Sequence, residues 1–427
     1  MKFQLILFSL LFLFAASISK AQSEAQDNWT QWRGPLGTGA AVKGNPPIEF
    51  NETKNLKWKT EIPGRGNATP IVYEDKIVIL TAVPTDASAN AQESPNVEHD
   101  FKVILVNRND GSIIWDKTVT TEVPEGNVHE LSSWASNSPC TDGEFIYAYF
   151  GSRGLYCLDF DGNIIWERDF GTMEKRANFG EGASPYLFKD RLFVQWDHEG
   201  QSYLYAIDKK TGEDAWTKER DEPTSWTSPF VVEAKGKIQV ITSGTNNVRS
   251  YDYETGEILW TSDGLTDNVI PVPVYANGIV YCMSGFRGNA LQAIDLSKAE
   301  GDISNSDAVL WRYDVDLPYT PTPLLMDSKL YFLRANNAFL SCIDAIDGSV
   351  YYTKQKLEGI STLFSSPTGV GDRIYLAAEG ICLVFKAGEE FEMLSTNTLD
   401  DDFHASPVVV GNLLILRGFE NLYCFEE

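Results

Sequence analysis

Short apolar runs separated by polar turns dominate this chain, and many of the turns share one pattern. Each begins with Asp or Asn after an apolar run, carries Gly near its end, and has Trp or Tyr four positions after that Gly. An acceptor side chain followed by a glycine that can adopt positive φ is typical of a tight turn. The aromatic residue on the next strand would anchor a neighbouring layer. The five clearest copies are Asn107–Trp115, Asp159–Trp166, Asp208–Trp216, Asp252–Trp260 and Asp344–Tyr352.

A second repeated signal is a proline, usually after Ser or Thr, that opens an apolar run. Each of the eight units contains short strand candidates, four per unit, such as Ile71–Tyr73 and Lys76–Ala82, and no helical period. Four strands repeated eight times predict an all-β, eight-bladed β-propeller of four-stranded antiparallel blades. The openings are Thr69-Pro70, Ser138-Pro139, Ser184-Pro185, Ser228-Pro229, Val272-Pro273, Thr322-Pro323, Ser366-Pro367 and Ser406-Pro407.

The two ends of the repeat region complement each other. The last unit ends at Leu422–Glu427, after its third strand, whereas Leu56–Thr60 is an unassigned strand with Trp58 in the repeated aromatic position. A linear solenoid is the competing architecture, but a solenoid requires capping repeats at its ends. We therefore predict that residues 56–427 form one closed propeller whose last blade is completed by the N-terminal strand.

Some segments depart from the repeat. Unit five carries the insertion Ser297–Asp307, unit one carries the polar insertion Thr85–Glu98, and unit seven has Lys386-Ala387-Gly388 instead of the turn pattern. Residues 22–55 precede the repeats as a turn-rich extension that contains Trp29 and Trp32. We expect this extension to pack on the outside or at one end of the propeller, because two tryptophans so close together should be buried.

The first 21 residues have the features of a signal peptide. Lys2 precedes the apolar stretch Phe3–Ala16, and Ser19-Lys20-Ala21 is a small-x-small cleavage site. The apolar stretch is short for a membrane anchor, and no cysteine follows the cleavage site for lipid attachment. We expect an exported, soluble, monomeric protein in the periplasm or outside the cell, with no lipid anchor.

The net charge limits the binding partners that the protein can have. The formal net charge of −25 and the pI near 4.5 argue against nucleic acid or an anionic membrane as a partner, since phosphate binding needs a basic face.

Six cysteines in an exported protein favour disulfides. However, Cys157, Cys342 and Cys424 occupy the position of Ala206 and Ala293, which indicates small buried core residues. A disulfide between adjacent blades remains an alternative.

The repeat resembles a known propeller motif. Ala206–Trp216 has the pattern Ala-x-Asp-x-x-Thr-Gly-x-x-x-Trp of propellers related to quinoprotein alcohol dehydrogenases and to BamB, the outer-membrane assembly lipoprotein. The stretch Trp29–Gly39 is similar to the N-terminus of exported PQQ-binding-like β-propeller repeat proteins. The resemblance covers nearly all of the chain after the signal peptide. It implies the fold but leaves the function open, since a fold and its sites are separable.

Redox and metal chemistry are not supported by the residues. The quinoprotein dehydrogenases carry adjacent cysteines beside PQQ and bind calcium, whereas this chain has no adjacent cysteines, no matching calcium ligands and no Cys-x-x-Cys-His haem motif. The histidines His99, His129, His198 and His404 lack metal-ligand spacing. Gly-x-Ser-x-Gly is also absent. We therefore expect no metal, no PQQ or other cofactor, and no catalytic residues; a quinoprotein-type oxidoreductase is the alternative.

In a propeller, the loops that precede the first strand of each blade and those between its second and third strands meet around one mouth of the channel. Six arginines from six units fall in these loops, and arginine forks and aromatic faces recognise carboxylates, phosphates and sugars. Alternatively, the arginines pair with Glu122, Glu130, Glu181 or Asp197. The candidate site residues are Arg65, His129, Trp134, Arg153, Arg176, Asn178, Trp196, His198, Trp226, Arg287, Arg334, His404 and Arg417.

We therefore predict a non-catalytic module for binding or scaffolding, with a protein or a small anionic or carbohydrate ligand at the channel mouth. A carbohydrate- or peptide-binding module is a second alternative, which the aromatic loops allow.

Overall fold

A computed structural model of the protein describes residues 28–86, 96–124 and 126–427. The predicted signal peptide, residues 1–21, lies outside the described residues. The same holds for residues 22–27 of the extension and for most of the insertion in unit one.

The described chain forms eight antiparallel blades in a ring, which confirms the predicted all-β propeller. Strands β3 and β4 of blade 1 are longer than their sequence pattern indicated, because they stay paired up to the edges of the insertion between them, with Pro84 opposite His99. Blades 1 to 4 comprise β2 (Ile71–Tyr73), β3 (Lys76–Pro84), β4 (His99–Asn107) and β5 (Ile113–Glu122); β6 (Cys140–Thr141), β7 (Phe145–Tyr149), β8 (Leu155–Asp159) and β9 (Ile164–Arg168); β10 (Tyr186–Phe188), β11 (Arg191–Trp196), β12 (Ser202–Asp208) and β13 (Asp214–Arg220); and β14 (Phe230–Ala234), β15 (Lys237–Thr242), β16 (Asn247–Asp252) and β17 (Ile258–Asp263).

The insertion in unit five adds a strand to the neighbouring blade. Its residues Gly301–Asp302 form β21, which pairs in parallel with β17 and gives the sheet of blade 4 a fifth strand. Blades 5 to 8 comprise β18 (Val274–Ala276), β19 (Ile279–Ser284), β20 (Ala290–Asp295) and β22 (Val309–Tyr313); β23 (Leu324–Met326), β24 (Lys329–Leu333), β25 (Phe339–Asp344) and β26 (Val350–Lys356); β27 (Thr368–Val370), β28 (Arg373–Ala378), β29 (Ile381–Lys386) and β30 (Met393–Thr398); and β31 (Val408–Val410), β32 (Leu413–Arg417), β33 (Asn421–Phe425) and β1 (Leu56–Glu61).

The N-terminal strand closes the ring as predicted. Strand β1 pairs antiparallel with β33, with Trp58 opposite Cys424. The indole of Trp58 then reaches into blade 1, where its Nε1 donates to the backbone oxygen of Arg108 at 2.9 Å. The indole of Trp58 packs so closely on Gly111 that a Cβ at that position would lie 2.7 Å from the indole. The N-terminal strand therefore completes blade 8 through its backbone ladder with β33, and Trp58 joins that blade to blade 1 through side-chain contacts.

The same contact explains the spacing between glycine and tryptophan in the repeat. Each docked tryptophan donates its indole N–H to a carbonyl in the turn of the next blade, and it covers the glycine of that turn. Asp208 shows how the turn is held, because its Oδ1 accepts the amides of Lys210 and Thr211 at 2.9 and 3.0 Å. The donor–acceptor pairs are Trp115 to Phe160, Trp166 to Lys209, Trp216 to Tyr253 and Trp311 to Ile346.

The Ser/Thr-Pro signal also has a structural cause. In seven of the eight positions the hydroxyl accepts a hydrogen bond from the backbone N–H of the equivalent residue in the preceding blade. The eighth link is missing at blade 5, where Val272 has no hydroxyl. We call these seven residues the hydroxyl ring. Its links run from Thr69 to Ser138, Ser138 to Ser184, Ser184 to Ser228, Val272 to Thr322, Thr322 to Ser366, Ser366 to Ser406, and Ser406 to Thr69.

Residues 28–45, which we call the channel segment, run along the inner strands of the ring. Trp29 exchanges two backbone hydrogen bonds with Val72 of β2, at 2.7 and 2.8 Å. Further along, the oxygen of Thr38 accepts from Leu325 of β23 at 3.1 Å, and the amide of Ala41 donates to Gly369 of β27 at 2.8 Å. The inner strands present unpaired backbone edges to the channel, and the channel segment pairs with several of them.

All six cysteines are free thiols and buried, which confirms their interpretation as small core residues. Burial raises the pKa of the Cys157 and Cys424 thiols to about 12. They lie in apolar clusters between blades; the cluster between blades 8 and 1, for example, contains Cys424, Ile79 and Trp58. No helix in the described part of the chain is long and apolar enough to cross a membrane.

Candidate functional site

The segments that connect successive blades surround a cavity of about 500 Å³, which we call the cup. In all eight units the residue two positions before the Ser/Thr-Pro opening lines it. This regularity follows from extended backbone, in which residues i and i−2 face the same way: Ser366 and Phe364 both line the cup. The eight residues are Asn67, Ser136, Gly182, Trp226, Ile270, Thr320, Phe364 and His404.

The inner end of the cup is polar and the walls are aromatic. Trp32 of the channel segment lines the cup, as do five members of the hydroxyl ring. On one wall, the rings of His129 and Phe179 lie 5.4 Å apart, and those of Phe179 and Trp226 lie 6.1 Å apart. On another wall, Phe286 and Tyr319 stack at 4.4 Å. The five hydroxyl-ring members are Ser138, Ser184, Ser228, Thr322 and Ser366.

A third aromatic group surrounds His404. Its ring lies 4.6 Å from that of Phe364 and 4.7 Å from that of Phe419, and its Nδ1 is 2.9 Å from the oxygen of Leu131. The Arg65 guanidinium lies over the ring of Phe419, 3.7 Å from its centroid. Burial, and then the charge of Arg65, lower the pKa of His404 to about 4. The imidazole is therefore neutral at neutral pH.

Glu181 is the one charged side chain among the described residues that line the cup. Ser152 donates its hydroxyl to this carboxylate at 2.7 Å. Two cations also hold it, Arg153 at 3.1 Å and Lys175 at 3.4 Å. The side chains of Arg153, Lys175 and Glu181 are nearly inaccessible to solvent. The carboxylate is thus neutralised and committed to protein contacts.

The predicted arginines lie around the cup rather than on its surface. Arg153 is buried against Glu181, as the pairing alternative expected. Arg176 and Arg287 share Asp267, an acid that the sequence did not single out, at 3.8 and 3.7 Å. These exposed pairs contribute little to stability. Both arginines nevertheless have their charge paired with that of Asp267.

Two further predicted arginines also lie away from the cup. Arg334 pairs with Asp316 at 3.1 Å. Arg417 is buried, and its guanidinium has no hydrogen-bond partner within the described ranges. Burial lowers the pKa of Arg417 to about 10, partly offset by Asp401. None of the predicted arginines lines the cup.

Of the other predicted residues, the cup brings together His129, Trp226 and His404. Trp134 and Trp196 are buried and do not line the cup. His198 is buried as well, and its Nδ1 accepts the amide of Glu174 at 3.0 Å. Asn178 lies in a short 3₁₀ turn, Arg176–Asn178, and is exposed. Sequence reasoning missed the following cup residues: Trp32, Phe179, Phe286, Tyr319, Phe364 and the five ring hydroxyls.

The residues do not fit calcium-bound PQQ. That cofactor unit needs several carboxylate and amide oxygens on one calcium ion, whereas the cup offers one carboxylate, Glu181, which Ser152, Arg153 and Lys175 already hold. Across the described ranges, no group of three or more His, Cys, Asp or Glu is placed to hold a metal ion.

Comparison with known proteins agrees with the architecture. The sequence profile of the family described as outer membrane protein assembly factor BamB matches residues 99–230 and 200–304. BamB from Moraxella catarrhalis superimposes with a TM-score of 0.58 at 13% identity, covering 87% of this chain and 98% of BamB. No curated protein sequence matches the chain.

Two other solved structures share the fold. The quinohemoprotein alcohol dehydrogenase ADHIIG from Pseudomonas putida HK5 gives a TM-score of 0.61 at 11% identity, covering 96% of this chain and 81% of the dehydrogenase. The computationally designed protein Ika8 gives 0.59 at 11% identity, covering 89% and 100%. The chain is therefore an eight-bladed β-propeller of PQQ-type repeats, related in fold to BamB and to the quinohemoprotein alcohol dehydrogenases.

Proposed function

We propose that the protein is an exported, non-catalytic binding module that holds part of a ligand or partner in the cup at its channel mouth. The observation that carries the proposal is the cup itself. Small-molecule sites are typically concave, largely apolar and equipped with a few converging polar groups, with volumes of about 300–1,000 Å³. The cup has this size and this composition.

The aromatic side chains support recognition rather than packing alone. Trp32, Phe179, Trp226, Phe286 and Phe364 are only partly buried, although the cavity that they line is concave. Apolar surface left in contact with water in such a place gains free energy when a ligand covers it. The polar groups among them are hydroxyls, amides and imidazoles, which orient a ligand by hydrogen bonds.

The relationship to BamB supports a binding or scaffolding role over a redox role. BamB is described as an assembly factor, and the quinohemoprotein enzymes as alcohol dehydrogenases. The signal-peptide pattern of residues 1–21 supports export. The misfit between Glu181 and a calcium–PQQ unit argues against the dehydrogenase alternative.

Blocking the cup tests the proposed function. Thr362 lines the cup, whereas Thr353 is exposed on the outer strand β26. Because every native cysteine is 0% exposed, a bulky maleimide would label selectively an introduced Thr362→Cys or Thr353→Cys. On an immobilised panel of glycans and peptides, we expect labelling of Thr362→Cys to abolish binding and labelling of Thr353→Cys to preserve it. Equal binding by both labelled variants would contradict the proposal.

The redox alternative has its own test. Purified protein mixed with PQQ and calcium should oxidise no alcohol or sugar in a dye-linked assay, because its residues do not supply the calcium ligands. The control is the same protein after heat inactivation. Turnover reproducibly above that control would overturn the non-catalytic assignment.

A further inference from the structure

We propose that the inner end of the cup is a carboxylate-binding subsite, and that its ligand class is an acidic sugar whose ring lies between the aromatic walls. This inference rests on the proposed function, because it concerns the same cup. It differs from the anion site expected from sequence, since the cup uses hydroxyl groups and a buried arginine of the channel segment instead of the arginines around the mouth.

The first support is the state of the five ring hydroxyls. Each accepts an amide N–H from the preceding blade, for example Ser228 from Ser184 at 2.7 Å and Ser366 from Thr322 at 2.9 Å. A hydroxyl has one hydrogen to donate, and none of these five donates it to another described residue. Because the amide contacts orient the oxygens, the hydrogens are left for an acceptor in the cup. Five donors that line one cavity favour a ligand group rich in acceptors.

The second support is Arg33, which is buried to 2% exposure in the channel segment. Its Nη2 donates to the backbone oxygens of Pro323 and Pro367 at 3.1 and 2.9 Å. These prolines directly follow the ring residues Thr322 and Ser366, so the guanidinium lies next to the hydroxyl ring.

No described carboxylate pairs with Arg33, and its Nε and Nη1 have no described hydrogen-bond partner. Burial lowers the pKa of Arg33 to about 9, so the group is positively charged at neutral pH. An uncompensated buried charge is unfavourable, and an anion nearby offsets it. The guanidinium lies 5.7 Å from the ring of Trp32, which lines the cup. A carboxylate bound in the cup would therefore be attracted electrostatically by this guanidinium without contacting it directly.

The remaining charges near the cup do not oppose an anion. Glu181 is outnumbered by Arg153 and Lys175, and His404 is neutral. A phosphate group, with its higher charge, usually takes direct contacts from Arg or Lys, and none of the described cup-lining residues is Arg or Lys. A single carboxylate fits better. The aromatic walls formed by Phe286 with Tyr319 and by Phe179 with Trp226 suit the apolar face of a sugar ring.

The test measures the affinity of D-glucuronate, methyl β-D-glucoside and N-acetyl-alanine by calorimetry. We expect glucuronate to bind about tenfold more tightly than the neutral glucoside, because the carboxylate adds hydrogen bonds and charge attraction. We also expect it to bind more tightly than N-acetyl-alanine. Equal affinity for glucuronate and the glucoside, or no binding of glucuronate, would overturn the proposal. Tightest binding of N-acetyl-alanine would overturn the sugar class and indicate a peptide terminus.

A matched pair of variants locates the subsite. Ser228 and Ser406 each accept one amide of the preceding blade, at 2.7 and 2.9 Å, but only Ser228 lines the cup. Ser228→Ala should weaken glucuronate binding about tenfold, while Ser406→Ala should change stability to a similar extent and leave affinity unaltered. Equal loss in both variants would contradict the subsite.

The two proposals can fail separately. If glucuronate shows no preference but panel ligands are still blocked by labelled Thr362→Cys, the cup is a binding site and the carboxylate subsite is wrong. If glucuronate binds and labelled Thr362→Cys does not block it, the cup assignment itself is wrong.

Discussion

Replacing Trp58 with alanine should lower the free energy of unfolding by about 3–5 kcal/mol, the usual cost of removing a buried tryptophan. The side chain is 7% exposed, and it joins the last blade to the first by packing on Gly111 and by the hydrogen bond to Arg108. The substitution would leave a cavity at the junction that closes the ring. Denaturant unfolding of both proteins measures the difference.

Lys57→Ala is the matched control, because Lys57 lies on the same strand and makes a surface ion pair with Glu426. Such pairs contribute about 0–1 kcal/mol. If Trp58→Ala were no more destabilising than Lys57→Ala, closure of the ring by β1 would not contribute as described. Deleting residues 1–60 is a less specific test, because it also removes the channel segment.

Trp29→Ala should have a comparable effect, also about 3–5 kcal/mol. Trp29 is 1% exposed and packs in the cluster between blades 8 and 1, with Val72 and Val408 among its members. Its ring lies so close to Gly34 that a Cβ there would approach to 2.8 Å. Loss of the indole should loosen the channel segment from the inner strands, and the midpoint of thermal unfolding should fall.

Trp32→Ala is the comparison for this prediction, since Trp32 is partly exposed and lines the cup. We expect its unfolding midpoint to fall less than that of Trp29→Ala, while ligand binding in the cup weakens. A reversed order of stability would mean that the channel segment is not held through Trp29.

The fold could be predicted from the sequence because its determinants are local and repeated. An aspartate such as Asp208 and a glycine such as Gly212 form the same turn in successive units. In Trp115, Trp166 and Trp216, the tryptophan four positions after the glycine faces the neighbouring turn. Trp260 is an exception that the repeat did not anticipate. Its Nε1 donates within its own blade, to Gln239 at 2.9 Å, and its backbone pairs with Gly301 of the inserted strand β21.

The site was less predictable, because its composition depends on which loop residues face inward. Arg153 and Arg334 lie in the predicted loops, but their side chains form ion pairs with nearby acidic residues and do not line the cup. The position two before each Ser/Thr-Pro opening, as in Phe364 or His404, was a readable signal, since it follows from strand alternation. The role of Arg33 could not be predicted, because no sequence pattern within residues 28–45 indicates that this segment runs along the channel.

The most direct test of the cup as the ligand site is a crystal structure of the protein with D-glucuronate at saturating concentration. We expect the sugar ring against Phe286 and Tyr319 or against Phe179 and Trp226. The carboxylate oxygens of the sugar should lie about 2.5–3.0 Å from side-chain oxygens of the hydroxyl ring, such as that of Ser228. Sugar bound on the outer strands, with the cup occupied by water alone, would contradict the account.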